Sequence, residues 1–482
     1  MNRPFGATDA DGEDLRGAAA IYDDLLRRAG CAPRPGDISF TGADPVFPTV
    51  FPMADAGAAV IGAAATQAAR LYELRTGRRQ HATVAVDAAS AAMRSWRYLR
   101  QVPEPPARGA RAPVAFYETC DGRWFFLHRL AEHHLERELR VLGLASADDE
   151  DAVARAIRRW DAADLEEAVM AAGACAAMVR THDEWAAHPQ GRAVAAQPLF
   201  RITKIGDSDP IPAGSGDRPL GGIRVLDLTR VLAGPTAGRT LGEHGADVIR
   251  VNSPRYPDTL PMVQDTGHGK RSTMLDLCSA TDAHRMRELV RGADVFAQGY
   301  RPGAIDRLGF SPEAVAALRP GVVVLSLSAF GTAGPWKMNR GFDSVVQAAS
   351  GVALEMGHTV GDGTPRSMPG NPLDYITGYL SAFLVQVALE RRASEGGSYH
   401  IEVSLAQTGR YLDRLPRIDA ALAASRPAEL SAARLAELMT ERDTPYGPLR
   451  FLAPVAKLEL TPSAWDSPTV PVDHDTPHWT ST

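Results

Sequence analysis

Apolar residues change their spacing between 222 and 251 in a way that predicts a strand, a helix and a second strand. One apolar run lies at 223–226 and another at 248–251, and Gly234 and Pro235 interrupt the pattern between them. A helix that begins at Pro235 would direct its free N–H groups and the positive end of its dipole toward an anion over the strand ends. The pattern therefore predicts a βαβ unit of the kind that handles nucleotides.

An NAD-binding fold is the first interpretation of this unit, and the residues give it little support. The glycine pattern GxGxxG is absent. Asn252 stands about twenty residues after the first turn, where an NAD-binding fold places the acid that binds the ribose. An NAD-dependent dehydrogenase is thus the least favoured function, and saturable NAD binding would be needed to support it.

The segments that follow the βαβ unit match one family in sequence and in order. They are LDLTRVLAGP (226–235), GADVIRV (245–251), GKRSTMLDL (269–277), ADVFAQGYRPGAIDRLGF (293–310), SAFGTAGPW (328–336), GFDSVVQAASG (341–351) and LDYITGYLSAFLVQVALERR (373–392). Together they resemble the family III CoA-transferases, which include formyl-CoA transferase, carnitine CoA-transferase and the α-methylacyl-CoA racemases. The resemblance implies an α/β fold in which an open, Rossmann-like parallel sheet domain binds CoA and a smaller α/β domain accompanies it.

The resemblance also implies a carboxylate nucleophile at Asp374, within NPLDYITGY. A carboxylate can attack a thioester carbonyl to give a mixed anhydride, because CoA thiolate is a tolerable leaving group. The thiolate can then form an aspartyl thioester, from which the incoming acid repeats the cycle in reverse. Judged from the residues alone, a helix N-cap is the favoured role of Asp374, since an apolar helical pattern begins just after it.

CoA carries a pyrophosphate and a 3′-phosphate, so basic groups must meet it even in an acidic protein. The cofactor-binding residues that the resemblance implies are Val231, Leu232, Ala233, Lys270, Arg271, Leu275, Asp276, Tyr300, Arg301, Pro302, Gly303, Arg307 and Arg340. Any one of these arginines, taken alone, could be an ordinary solvated charge. Their joint position in matching segments is what favours CoA contacts.

Phe342 separates the transferases from the racemase branch. The racemases resemble this chain around GFDSVVQ but carry His at that position, as one of two acid/base groups. Since Phe has no proton to exchange, racemisation is not expected unless another base, such as His358, replaces it. A non-catalytic CoA-binding homologue is a further alternative, suggested by Asn252 at a commonly acidic position and by a weak glycine-rich substrate loop.

The first 215 residues resemble a second, partial copy of the family sequence. The segment 53–86 aligns without a gap on the segment that begins at Leu373, with Asp55 on Asp374. The first copy then continues through 118–194, which resembles the family's small domain and has no counterpart in the second copy. Asp55 is therefore the rival nucleophile, and Asp374 is preferred because no nucleotide-binding half precedes Asp55.

This tandem or permuted arrangement predicts four segments. They are an N-terminal extension over 1–42, a partial copy with the small domain over 43–215, the CoA-binding Rossmann-like domain over 216–416, and a C-terminal helix, closing strand and tail over 417–482. Family members form interlocked dimers, so a homodimer and an imitation of that dimer within one chain both stay open.

Composition narrows the classes of function without choosing among enzymes. The chain of 482 residues has a net charge of −6 and no basic stripe with interleaved aromatic residues, which argues against a nucleic-acid partner. Its four cysteines are widely spaced, without metal-ligand spacing, and no signal peptide or membrane-spanning run is evident. We therefore expect a cytoplasmic protein without a metal or a permanently bound cofactor, acting on acyl-CoA and a small carboxylic acid whose identity no motif encodes.

Overall fold

The computed structural model describes residues 15–103, 114–129, 131–256 and 258–479. The first fourteen residues of the predicted N-terminal extension lie outside them. The helices are α1 Gly17–Arg28, α2 Met53–Thr76, α3 Val86–Ala92, α4 Glu132–Leu142, α5 Glu150–Ile157, α6 Ala162–Ala171, α7 His182–Ala187, α8 Pro189–Ala195, α9 Ala233–Glu243, α10 Leu260–Thr266, α11 Ala280–Arg291, α12 Pro312–Leu318, α13 Asp343–Ala349, α14 Val352–Val360, α15 Pro372–Glu395, α16 Leu405–Arg414, α17 Ala420–Ala424 and α18 Ala432–Leu438. The strands are β1 Ile38–Thr41, β2 Ala82–Ala85, β3 Arg100–Gln101, β4 Val114–Glu118, β5 Trp124–His128, β6 Ala176–Met178, β7 Phe200–Gly206, β8 Arg224–Leu228, β9 Asp247–Asn252, β10 Lys270–Met274, β11 Val295–Gln298, β12 Val323–Ser328, β13 Ser398–Ser404, β14 Met439–Arg442, β15 Leu449–Leu452 and β16 Lys457–Leu458.

A seven-stranded sheet organises the larger part of the fold. Its order is β10-β9-β8-β11-β12-β13-β7, and every pair is parallel except β13 with β7. The inner strands are buried along nearly their whole length, as their continuous apolar runs require of a parallel sheet covered on both faces. The predicted α/β class and the βαβ unit formed by β8, α9 and β9 are confirmed, although the helix begins at Ala233 rather than at Pro235.

The two halves of the chain are interleaved in the sheets. Strand β7, from the segment predicted to hold the first copy, pairs with β13 of the second copy, with Ile202 opposite Ile401. Strands β1 and β2 form a small sheet with β16 from near the C-terminus, whereas β4, β5 and β6 form a separate antiparallel sheet with its own apolar cluster. The domain boundaries drawn from the sequence stay a prediction.

The long helices α2 and α15 come from equivalent positions of the two copies and pack against each other. At their interface Gln67 Nε2 and Arg70 Nε donate to the Glu390 carboxylate at 2.5 and 2.8 Å. Each helix leads into a strand and then into a further helix, as α2-β2-α3 and α15-β13-α16. The shared order of elements agrees with the internal repeat inferred from sequence.

A close contact between α15 and α9 depends on the missing side chain of Gly378. A Cβ atom at Gly378 would lie 2.4 Å from the Ala233 carbonyl oxygen and 2.7 Å from Thr236 Cβ. We expect Gly378→Ala to lower the free energy of unfolding by about 1–3 kcal/mol, because overpacking outweighs the better helix propensity of alanine. Denaturant unfolding measures the difference. Gly409→Ala on α16 is the matched control, since its nearest neighbours stay at 3.4 Å or beyond, and equal stability losses in both variants would contradict the packing argument.

The C-terminal tail covers β10, which is an edge strand of the large sheet. Asp475 exchanges two hydrogen bonds with the Ser272 backbone, at 2.7 and 2.8 Å, and Trp479 Nε1 donates to the Leu289 carbonyl at 2.9 Å. Such cover protects the unpaired backbone groups of an edge strand. None of the helices in the described part of the chain has the length and apolar character needed to cross a membrane.

Candidate active site

Asp374 lies in the first turn of α15 and is buried, with 6% of its surface exposed. The interpretation of Asp374 as the helix N-cap is wrong, since Asn371 occupies that position. The Asp374 amide N–H donates to Asp343 Oδ2 at 3.0 Å, and the other oxygen of Asp343 accepts from Gln347. Asp343 therefore holds the backbone at Asp374, and Asp374 itself lines a cavity.

The two carboxylates of this aspartate pair carry like charges, which repel each other. Burial and the neighbouring Asp343 carboxylate raise the pKa of Asp374 well above its ordinary value. Burial likewise raises the pKa of Asp343 to about 6, although the hydrogen bonds it accepts act in the opposite direction. The pair therefore releases its protons at higher pH than an ordinary surface pair of aspartates does.

The Asp374 carboxyl lines a cavity of about 670 Å³ at the carboxyl ends of the parallel strands. This is the edge where open α/β sheets bind ligands. The predicted CoA-contacting residues that line the same cavity are Val231, Ala233, Leu275, Asp276, Tyr300, Arg301, Pro302 and Arg340. Residues from the first half of the chain, 131–134, close the cavity from another side, so one polypeptide supplies both of its walls.

The remaining predicted contacts lie elsewhere. Lys270 is buried beneath the loop that follows β8, where its Nζ lies 2.7 Å from Asp227 Oδ2 and from the Pro235 carbonyl. Arg271 pairs with Asp247 at 2.8 Å and points toward the tail, and Leu232 is fully buried. Gly303 lines a smaller neighbouring cavity of about 130 Å³, and Arg307 is exposed outside both cavities.

The loop at the entrance of α9 has an unusual backbone. Val231 has a φ of 69°, a left-handed conformation that a β-branched side chain rarely adopts. Asp227 at the end of β8 stabilises the loop, since its Oδ1 accepts from the backbone N–H of Thr229 at 3.0 Å and also from the Thr229 hydroxyl. Strained residues held this firmly are concentrated at ligand-binding positions. The contact of Val231 and Ala233 with the cofactor stays a prediction, and both residues line the cavity.

The cations along the cavity fall into two groups. Arg230 and Arg255 are paired with Asp258 and Asp276 at 2.9 and 2.8 Å. Within the described ranges, no carboxylate pairs with Arg301, Lys337 or Arg340, all of which line the cavity. Burial and the nearby charges of Arg301 and Arg137 lower the pKa of Arg340. An unneutralised group of cations beside a cavity attracts an anionic ligand.

Two histidines that the sequence reasoning did not select flank Phe342. The ring of His128 stacks on Phe342 with centroids 4.0 Å apart, and His134 meets it edge-on at 5.8 Å. Burial lowers the pKa of both histidines to about 3, so both are neutral at physiological pH. Sequence spacing carried no signal for this contact, because the histidines and Phe342 belong to opposite halves of the chain.

Asp55 and Asn252 have surroundings that bear on their proposed roles. Asp55 does not line the cavity that holds Asp374, and its backbone N–H donates to Asp44 at 2.8 Å. The side-chain amide of Asn252 donates to Ser272, to Thr273 and to the carbonyl of Val472 in the tail at 2.6–2.9 Å. This amide therefore joins the sheet edge to the tail, which a carboxylate could not do.

The sequence matches the model of CoA-transferase family III over residues 32–213 and 220–412, and the chain belongs to this family. The match in two segments agrees with the tandem arrangement of the copies. Coenzyme A transfer is the reaction for which the matched family is named.

Several curated relatives carry CoA-transferase names. The acetyl-coenzyme A transferase nodX of Hypoxylon pulicicidum is 31% identical over 323 residues, which cover 62% of this chain and 54% of that protein. The succinate–glutarate CoA-transferase of Agrobacterium fabrum is 34% identical over 205 residues, covering 39% and 51%. A crystal structure of a CAIB/BAIF family protein from Brucella suis is similar at 27% identity, with a TM-score of 0.37 and coverage of 48% and 65%. The chain spans about half the length of the curated relatives it matches.

Proposed function

We propose that the chain moves CoA from an acyl-CoA thioester to a free carboxylic acid through covalent intermediates on Asp374. The observation that carries the proposal is the buried Asp374 on the wall of a cavity that is also lined by cations with no carboxylate partner among the described residues. An ionised carboxyl that is shielded from water is a stronger nucleophile than a solvated one. Nearby cations attract the phosphates of CoA. Membership of the CoA-transferase family supports the reaction class.

Each step of the proposed cycle conserves charge and electrons. An oxygen of Asp374 attacks the thioester carbonyl carbon, the C–S bond breaks, and CoA leaves as a thiolate. The thiolate attacks the aspartyl carbonyl of the mixed anhydride, which forms an aspartyl thioester and releases the first acid as a carboxylate. The carboxylate of the acceptor then attacks the aspartyl thioester and displaces CoA thiolate, which gives a second mixed anhydride. The thiolate attacks the acceptor's carbonyl carbon in that anhydride, which forms the new acyl-CoA and releases Asp374 as a carboxylate.

The alternatives receive less support. Phe342 offers no exchangeable proton for racemisation, and its ring is packed between His128 and His134. An NAD-binding fold needs an acid at the position of Asn252. The side-chain amide of Asn252 instead donates a hydrogen bond to the Val472 carbonyl in the tail. A non-catalytic CoA-binding homologue is the alternative that the exchange experiment must exclude.

The exchange experiment incubates the full chain with acyl-CoA donors and isotopically labelled free acids, and chromatography follows the new thioesters. We expect label to enter an acyl-CoA without net hydrolysis, because the cycle exchanges one acid for another. Hydrolysis without exchange would contradict transferase activity, and CoA binding without either reaction would support the non-catalytic alternative.

The Asp343–Asp374 pair predicts a pH dependence. Asp374 must be ionised to attack, so kcat/KM for the acyl-CoA is expected to rise with pH through the raised pKa of Asp374. Asp343→Asn removes the negative charge that raises this pKa and keeps an oxygen for the Asp374 N–H, so the rising limb should move to lower pH. A shift of one pH unit corresponds to about 1.4 kcal/mol. Asp207→Asn, at an exposed position, is the control, and a limb that stays in place or moves to higher pH in Asp343→Asn would refute the electrostatic argument.

A further inference from the structure

The loop between β12 and α13 carries two of the cations that line the cavity beside Asp374. They are Lys337 and Arg340, and neither pairs with a carboxylate among the described residues. Residues 330–336 of the same loop do not line this cavity. Contacts that hold 330–336 therefore also set where the two cations stand, because a ligand-binding group is only as well positioned as the structure that supports it.

Gln190 on α8 supplies such contacts. Its side chain is fully buried and makes three hydrogen bonds to the loop backbone. Nε2 donates to the carbonyls of Phe330 and Ala333 at 2.9 and 3.0 Å, and Oε1 accepts from the Trp336 N–H at 2.7 Å. Two carbonyls need a donor and the N–H needs an acceptor, so one orientation of the amide satisfies the loop. The first half of the chain thus holds a loop that belongs to the second half.

The loop is shaped to fit around this amide. Gly334 has a φ of 86°, and a Cβ atom there would lie 2.3 Å from Gln190 Oε1. Trp336 is buried against α7 and α8, with its ring centroid 5.7 Å from that of Trp185 and 4.6 Å from that of His188. Both contacts keep the loop close to α8, and none of the residues that make them lines the cavity.

The end of the loop nearest Asp374 has separate supports. Asp343 follows the loop as the first residue of α13, where it accepts hydrogen bonds from the Asp374 N–H at 3.0 Å and from the Gln347 amide. The three hydrogen bonds of the Gln190 side chain all go to residues 330–336 instead. A change at Gln190 is therefore expected to displace the cations more than the nucleophile.

We propose that Gln190 is a positioning residue for the binding of CoA, since it holds 330–336 so that Lys337 and Arg340 face the phosphates. The proposal rests on the transferase function proposed above. Without the amide, two carbonyls and one N–H of the loop lose their buried partner, so the observed conformation of the loop is no longer favoured. The first half of the chain thereby sets how tightly the second half holds CoA, although Gln190 does not line the cavity.

Gln190→Met, which removes the amide and keeps the length of the side chain, tests the proposal in the full chain. We expect KM for the acyl-CoA and Kd for CoA to rise about tenfold, whereas kcat stays within about twofold of wild type. Titration calorimetry measures Kd for CoA, and saturation-transfer NMR measures Kd for pantetheine, which lacks the phosphates and should change less than about twofold. The affinity for CoA should also depend less on salt concentration than in wild type, because fewer cations face the ligand. Gly334→Ala, which forces the loop away from the amide, should have the same effects.

Gln80→Met is the matched control. Gln80 is also buried and also holds a backbone segment, since its Oε1 accepts from the N–H groups of Leu460 and Thr461 at 3.0 and 3.1 Å, and it does not line the cavity. We expect both glutamine variants to unfold at lower denaturant concentration than wild type, but only Gln190→Met to lose affinity for CoA. Equal losses of CoA affinity in the two variants, equal losses for CoA and pantetheine in Gln190→Met, or unchanged CoA affinity would overturn the positioning role. The expected changes in binding without exchange in wild type would refute the transferase function alone.

Discussion

Replacing Asp374 with alanine is expected to reduce CoA exchange by on the order of 10³-fold or more, while the affinity for CoA changes only a few-fold. The carboxyl supplies the attacking oxygen, so both covalent intermediates are lost with it. Its removal opens a small space at the cavity wall but breaks no side-chain hydrogen bond to the described residues. Steady-state exchange kinetics and titration calorimetry with CoA measure the two effects separately.

Asp55→Ala is the matched control for this variant, because Asp55 occupies the equivalent position of the first copy. Asp55 is similarly buried but lies away from the cavity, so exchange should stay within a few-fold of wild type. A large loss in Asp55→Ala with a small loss in Asp374→Ala would reverse the assignment. Equal, small losses of exchange activity in both variants would exclude a mechanism through an aspartyl intermediate.

Replacing Lys270 with alanine is expected to lower the free energy of unfolding by about 3–5 kcal/mol, because the change leaves the Asp227 carboxylate buried without its cation. Lys270 also donates to the Pro235 carbonyl in the first turn of α9. The loop at residues 229–233 leads into this turn, so we expect the substitution to disturb the loop as well. Denaturant unfolding at neutral pH measures the stability. Any loss of CoA affinity is expected to follow from the disturbed loop rather than from a missing contact with the cofactor.

Arg271→Ala is the neighbouring comparison on the same strand. Its ion pair with Asp247 is partly exposed, and such pairs contribute about 0–1 kcal/mol. A Lys270→Ala variant with unchanged stability but a strongly raised KM for CoA would show that Lys270 contacts the cofactor directly. Similar stability losses in the two variants would contradict the distinction between buried and exposed pairs.

Local patterns in the sequence were sufficient for the elements that build the cavity. The change from apolar runs to a glycine–proline break predicted β8, α9 and β9, because parallel strands covered on both faces need continuous apolar residues. The internal repeat aligned 53–86 with the segment that begins at Leu373, and these aligned segments form the helices α2 and α15. The apolar helical pattern that follows Asp374 predicted a helix beginning there, as α15 does, and the role of Asp374 as nucleophile stays a proposal.

Contacts between distant segments could not be read from the same patterns. Lys270 and Arg271 are adjacent basic residues, yet the alternation of side chains along β10 buries the first and turns the second toward the surface. His134 reaches the cavity because the antiparallel sheet of the first half packs beside Phe342 of the second, and no spacing encodes that distance. The pairing of β7 with β13 and the cover of β10 by the tail likewise depend on long-range packing.

Trapping of the covalent intermediate tests the central claim most directly. Wild type, Asp374→Ala and Asp55→Ala are incubated with a panel of acyl-CoA donors and hydroxylamine, and intact-protein and peptide mass spectrometry locate any adduct. We expect a hydroxamate on Asp374 in wild type and in Asp55→Ala, and none in Asp374→Ala, because hydroxylamine attacks the activated aspartyl carbonyl. No adduct with any donor, in a protein that still binds CoA, or an adduct on Asp55 instead, would contradict Asp374 as the nucleophile.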